Sequence, residues 1–304
     1  VALWAAGRVC VTFSAQTGWL AAMLVDASFL AMVAAAAARE IIAGKKWGNL
    51  GVIALVLLLF AGNVAFHLEA HFHDGAEISI RVGIAVIVLL ISLIGGRIIP
   101  SFTRNWLVKE NPGRLPVPFG FFDKITIVVS ASVLACWIFW PYGVGTGVAL
   151  TAAGVVHLMR FVRWAGDRTG REPLLLVLHV GYLFVPLGFL LNGAGAAGLV
   201  ATGAGIHAWT AGAAGVMTLA VMSRATLGHT GQQLTASVPT RLIYMLVVIA
   251  AVARIFAALE PAHGIALLHI ATIAWAAAFL GFALVFGPTL IGFDKREAPR
   301  HAVS

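Results

Sequence analysis

The sequence predicts an all-α fold: a polytopic transmembrane helix bundle of about ten membrane helices, in one helical domain over residues 1–304. Three observations predict it. The chain is 61% hydrophobic and only 11% charged, too few charges to cover a water-soluble surface of this size. Apolar runs recur at close to the ~20 residues that an α-helix needs to cross a bilayer. The basic residues gather in every second connection between those runs.

In chain order the apolar segments cover roughly 1–14, 18–38, 48–68, 78–98, 122–141, 143–163, 173–192, 202–223, 240–259 and 264–291, the first being short. Arg39, Lys45 and Lys46 follow the second segment, and Arg97, Arg104, Lys109, Arg114 and Lys124 the fourth. Arg160, Arg163, Arg168 and Arg171 follow the sixth, Arg224 and Arg241 the eighth, and Lys295, Arg296 and Arg300 the tenth. Of the 20 Lys and Arg, that leaves only Arg8, Arg81 and Arg254 elsewhere. The positive-inside rule places the basic connections and the C-terminus in the cytoplasm. The net charge of +8 is thereby topological, and nucleic acid is not the expected partner; the lipid bilayer is.

Trp47, Trp106 and Trp164 fall near one expected boundary, and Trp19, Trp137, Trp140, Tyr142 and Trp209 near the other, as interfacial anchors do. The stretch 99–121, with four prolines, reads as the longest connection. Cys10 and Cys136 lie in apolar runs without metal-ligand spacing and read as small packing residues. The opening VALWAAGRVCVTF has no Met and no basic leader, and reads as a helix already under way, so a preceding portion is expected.

Polar groups inside the spans carry the chemistry. Arg8 and Asp26 each lie about nine residues from their shared turn, so they match in depth and can form an intramembrane ion pair. That pair is a packing clamp, an ion path or an anchor for a cofactor carboxylate. His157 and His179 share one level, about six residues in from the same side of the membrane. His207 and His269 share the opposite level, where His67, His71, His73 and His263 also gather. His67 and His71 have the i,i+4 spacing that puts two imidazoles on one helix face. Buried imidazoles on facing helices hold haem iron, and imidazole also suits copper. Each is equally able to be a hydrogen-bonded packing residue. His207 and His229 bracket one helix but stand ~30 Å apart if helical throughout, too far for one metal.

Four strings go beyond composition: GGRIIPSFTRNWL (Gly95–Leu107), PLLLVLHVGY (Pro173–Tyr182), HAWTAGAAG (His207–Gly215) and MTLAVMSRATLGHTG (Met217–Gly231). Together they resemble the NnrS family, membrane proteins containing haem and copper and associated with nitric oxide metabolism in denitrifying and nitrosatively stressed bacteria. The resemblance covers essentially the whole chain. It implies about twelve membrane helices in the family, with those here corresponding to the third onward. The family's N-terminal Trp-His-x-His-Glu stretch has no counterpart here, so the metal set expected from these residues is incomplete.

Residue by residue, the resemblance points to His179, His207 and His229. Arg97, Arg104, Asn105, Arg224 and Thr230 also match motif positions. With the depth pairs added, the candidate haem-binding set is His157, His179, His207, His229 and His269, with Arg97 and Arg224 holding propionates or fixing the loop of His229. The candidate metal set is His67, His71, His179, His207 and His229. The implied setting is a bacterial inner membrane, with nitric oxide and a membrane or periplasmic electron donor as partners. Two other readings stay open: a quinol-linked haem subunit for electron transfer, and a cofactor-free transporter working through Arg8 and Asp26. A catalytic haem–copper oxidase is disfavoured, because no His-His dipeptide occurs.

Overall fold

The computed structural model describes residues 1–73 and 75–292. Lys295, Arg296, Arg300 and His301 lie outside them. Twelve α-helices account for most of the described residues, which contain no strand: α1 (Ala2–Thr12), α2 (Ser14–Thr17), α3 (Trp19–Ala43), α4 (Leu50–Phe72), α5 (Glu77–Glu110), α6 (Phe121–Phe139), α7 (Val144–Val162), α8 (Pro173–Ala196), α9 (Thr202–His207), α10 (Met217–His229), α11 (Val238–Leu259) and α12 (Gly264–Leu290). A π-helical segment, Ala208–Val216, joins α9 to α10. Nine spans among the described residues are long and apolar enough to cross a membrane, and the chain is a multi-pass helical membrane protein. The first apolar segment forms the eleven-residue α1, about 16 Å long and short of a full crossing.

The structure departs from the sequence reading at α5, which continues to Glu110 through Pro100. Most of the expected 99–121 connection is therefore helix. Proline and the basic residues suggested a loop, but Ile99, Thr103 and Leu107, spaced i,i+4,i+8, are all fully buried. That buried stripe carries the helix past the missing N–H of Pro100. What remains of the connection is tied down by Arg168, whose guanidinium donates to the carbonyls of Asn111 and Pro112 at 2.8 and 2.9 Å.

The chain falls into two compact units, with boundaries inside α5, inside α6 and in the short connection between α6 and α7. Unit 1 comprises Val1–Ile94 and Leu134–Pro141. In it α1 packs on α3 and α3 on α4, and α4 buries only Gly62 and His67. Unit 2 comprises Gly95–Val133 and Tyr142–Ser304. Its centre is α8, apolar on every side, with sixteen of its 24 residues buried. Around it lie α7, α9 and the π segment, while α11 pairs with α12. Close approach explains the glycines of α8: a methyl on Gly188 would fall on the indole of Trp209, whose Nε1 donates to the Val185 carbonyl at 3.1 Å.

Three of the expected interfacial aromatics are core residues instead. Trp137, Trp164 and Trp209 are buried, whereas Trp47, Trp140 and Tyr142 are exposed. Hydropathy position alone does not separate an anchoring indole from a packed one.

Candidate functional site

Three polar places inside the spans compete for a functional role. In unit 1, Asp26 is buried on α3 and its carboxylate gathers three donors. Arg8 of α1 bonds to Oδ1. Asn63 donates to Oδ2 at 2.9 Å, and His67 Nε2 lies 3.2 Å from the same oxygen. Asn63 and His67 are i,i+4 on α4, which is why both reach it. His71 stacks on Trp19 at a centroid distance of 4.2 Å. The apolar groove beside α4 is rimmed by Glu69, which caps the start of α5 by accepting from the backbone N–H groups of Ile78 and Ser79.

The second place is the core of unit 2. Arg160, which composition assigned to a cytoplasmic connection, is fully buried on α7. Its Nε donates to Asp123 Oδ1 at 2.7 Å, and its Nη1 to the Tyr182 hydroxyl at 3.0 Å. Tyr182 lies 2.9 Å from His157 Nδ1, and His157 Nε2 lies 2.8 Å from Ser130 Oγ. Ser130 spends its own proton on the Thr126 carbonyl at 2.7 Å. Ser130 therefore accepts from His157 Nε2–H, which leaves Nδ1 as an acceptor and makes Tyr182 the donor to it. Both nitrogens of His157 are engaged. His179 bonds through Nε2 to Thr103 Oγ1 at 2.9 Å. Its Nδ1 is buried and has no hydrogen-bond partner among the described residues, but it faces Gly166, where even a methyl carbon would come within 2.6 Å.

The third place is a cleft of about 560 Å³ in unit 2, walled by the π segment, α11 and α12. The π segment and α12 both pack on α11, and α12 meets α10 beyond. Trp275 closes that end against Gly215, where a Cβ would come 2.6 Å from the indole. Trp275 stands eleven residues into α12, ~16 Å along its axis, so the cleft reaches well into the span. His207 and Arg254 line it, and neither makes a hydrogen bond or ion pair among the described residues. Thr210 and Thr272 donate to the carbonyls of Ile206 and Leu268, each at 2.8 Å, and so offer the cleft only acceptor oxygens. Ala211, Ala250, Ala271 and Ala276 leave its remaining wall apolar and open. A cation and an imidazole without partners among the described residues, set in an apolar slot, suit a flat amphiphile with an acidic edge.

The model of the NnrS protein family matches residues 1–293. The chain belongs to the NnrS family. No curated protein and no solved structure matches it.

Of the expected haem-binding histidines, His207 lines the cleft; His229 is exposed at the end of α10 and His269 is exposed on α12. His157 and His179 share one aromatic cluster through Phe161 and Tyr182, without meeting each other. Arg97 lies over the ring of Phe119 and Arg224 over that of Phe102, at 5.1 and 4.4 Å. They are not brought to the cleft. Sequence reasoning missed Arg254 as a lining residue, Trp275, and the Asp123–Arg160–Tyr182 group. Arg254 had a usable signal, being one of three basic residues outside the basic connections. Asp123 and Arg160 had none, because both resembled connection charges.

Proposed function

We propose that this chain is a haem-binding membrane protein acting in nitric oxide metabolism or protection from nitrosative stress, with the haem in the His207–Arg254 cleft. The observation that carries the reading is this pair of side chains, without a hydrogen-bond or ion-pair partner among the described residues, in one apolar slot of the span. Membership of the NnrS family supports it. A haem supplies iron that binds nitric oxide and exchanges one electron. His207 would hold the iron, and Arg254 would pair with a propionate, as guanidinium groups do with carboxylates. The four alanines leave room for a flat ring beside them, and the volume lies within the range of cofactor pockets.

Copper, the other metal implied by the family resemblance, fits these residues less well. Among the described residues no three His, Cys, Asp or Glu side chains converge. His67 is turned to Asp26, and His71 lies flat on Trp19. No copper site is assigned on that basis.

The reading is tested on the freshly purified full-length protein by its optical spectrum and bound haem. Wild type shows a Soret band, His207→Ala loses it, and Arg254→Ala retains less haem. A Soret band that survives unchanged in His207→Ala places the haem elsewhere. Complete absence of haem from wild type overturns the reading.

A further inference from the structure

The geometry points to Tyr182 as a one-electron redox site of the protein, with His157 as the acceptor of its phenolic proton. A phenol buried in an apolar core gives up an electron at an accessible potential only if its proton can leave at the same time. Here the acceptor is built in. The Tyr182 hydroxyl accepts from Arg160 Nη1 at 3.0 Å, and its own proton points to His157 Nδ1 at 2.9 Å. His157 can take that proton because Nε2–H is already held by Ser130 Oγ at 2.8 Å. The fully buried Arg160 is paired with Asp123 at 2.7 Å, which offsets part of the guanidinium charge that the new charge on His157 faces. Tyr182 and His157 are themselves fully buried, which shields a phenoxyl oxygen from water.

The electron also has a route. Trp164 lies 4.4 Å from Tyr182, centroid to centroid. On the other side the rings run Tyr182, His157, Phe189 and Trp209, at spacings of 6.0, 5.0 and 5.0 Å. Trp209 belongs to the π segment that walls the cleft. Both indoles are oxidisable, and each is close enough to the next ring for short electron hops. Tyr182 loses one electron to a one-electron oxidant of the peroxyl-radical class formed in the bilayer. The Tyr182 O–H bond breaks, and its proton forms an N–H bond at His157 Nδ1. A neutral phenoxyl and an imidazolium result, and the reduced oxidant takes its proton from water. Re-reduction by a one-electron donor of the quinol class, which releases its own proton to water, lets His157 return its proton to Tyr182. Nothing in this step depends on what occupies the cleft.

The test uses the full chain in detergent, with ruthenium(III) tris-bipyridine generated by flash and persulfate as the oxidant, read by electron paramagnetic resonance. The chain has three tyrosines, so Tyr142→Phe and Tyr244→Phe leave Tyr182 as the only source of a tyrosyl signal. That background protein is expected to give a neutral tyrosyl radical. At high field its largest g component should lie at the low value of a phenoxyl oxygen that accepts hydrogen bonds. Adding Tyr182→Phe is expected to remove the signal, and His157→Leu to suppress it. Ser130→Ala, a smaller change, is expected to lower the radical yield should His157→Leu not fold. Tryptophan radicals alone in the background protein would overturn the assignment. So would a tyrosyl signal of unchanged yield and g value in both His157→Leu and Ser130→Ala.

Discussion

Tyr182 donates its hydroxyl proton to His157 Nδ1 across 2.9 Å, and the two ends of the surrounding chain fix that direction. Arg160 can only donate to the phenol oxygen, and Ser130 is committed as a donor to the Thr126 carbonyl. Every group from Arg160 Nη1 to Ser130 then has a partner of the correct sense. Such a closed network is costly to open, because each removed link leaves a buried group without its partner.

The first prediction follows from that. Tyr182→Phe keeps the ring but strands His157 Nδ1 and removes the acceptor of Arg160 Nη1, inside a fully buried core. The expected loss is about 1–3 kcal/mol for each stranded group, more where it is charged. Thermal unfolding in detergent should show it. An unchanged midpoint would mean that the hydroxyl is not held as described.

The Asp123–Arg160 pair gives a sharper case. Asp123→Ala leaves a guanidinium charged and buried, at an expected cost of about 3–5 kcal/mol. Replacing both partners, as Asp123→Ala with Arg160→Met, removes the charge as well as its counterion. The double variant is expected to be more stable than Asp123→Ala alone. Equal or greater destabilisation in the double variant would refute a buried charge as the cause.

The Arg8–Asp26 pair of unit 1 should behave differently. Arg8 keeps half of its side chain outside the packed core, so its guanidinium can move when its partner is lost, whereas the fully buried Arg160 cannot. Asp26→Asn is therefore expected to destabilise less than Asp123→Asn, although both carboxylates are buried. Side-by-side unfolding curves of the two variants decide this. A larger loss for Asp26→Asn would contradict the difference in exposure.

These contrasts show which parts could be read from the sequence. Hydropathy periods gave the helical class and most of the span positions, because a bilayer sets one length for every crossing. His207 could be picked out because an imidazole in an apolar span is conspicuous. Charge counting failed at Arg160, since the rule that sorts connections by lysine and arginine takes no account of a guanidinium turned inward. It failed again at α5, where proline chemistry outweighed the buried i,i+4,i+8 stripe of Ile99, Thr103 and Leu107. The cleft could not be read at all. It exists because a π turn changes the register after His207 and because Trp275 meets a glycine, and both are tertiary facts.

The last prediction separates the cleft from the fold. Ala276 lines the cleft, yet it is exposed on α12 and packs into no core. Ala276→Phe would place a ring in the open slot without displacing a buried neighbour, so the unfolding midpoint should move by less than about 0.5 kcal/mol equivalent. Haem content, measured by the pyridine haemochrome assay on the same preparation, is expected to fall steeply. Ala220→Phe, at a fully buried position on α10 outside the cleft, should do the reverse in order of cause: overpacking destabilises the bundle first, by about 1–3 kcal/mol, and haem is lost only with the fold. If Ala276→Phe binds haem as wild type does, the slot between the π segment and α12 is not where the ring lies.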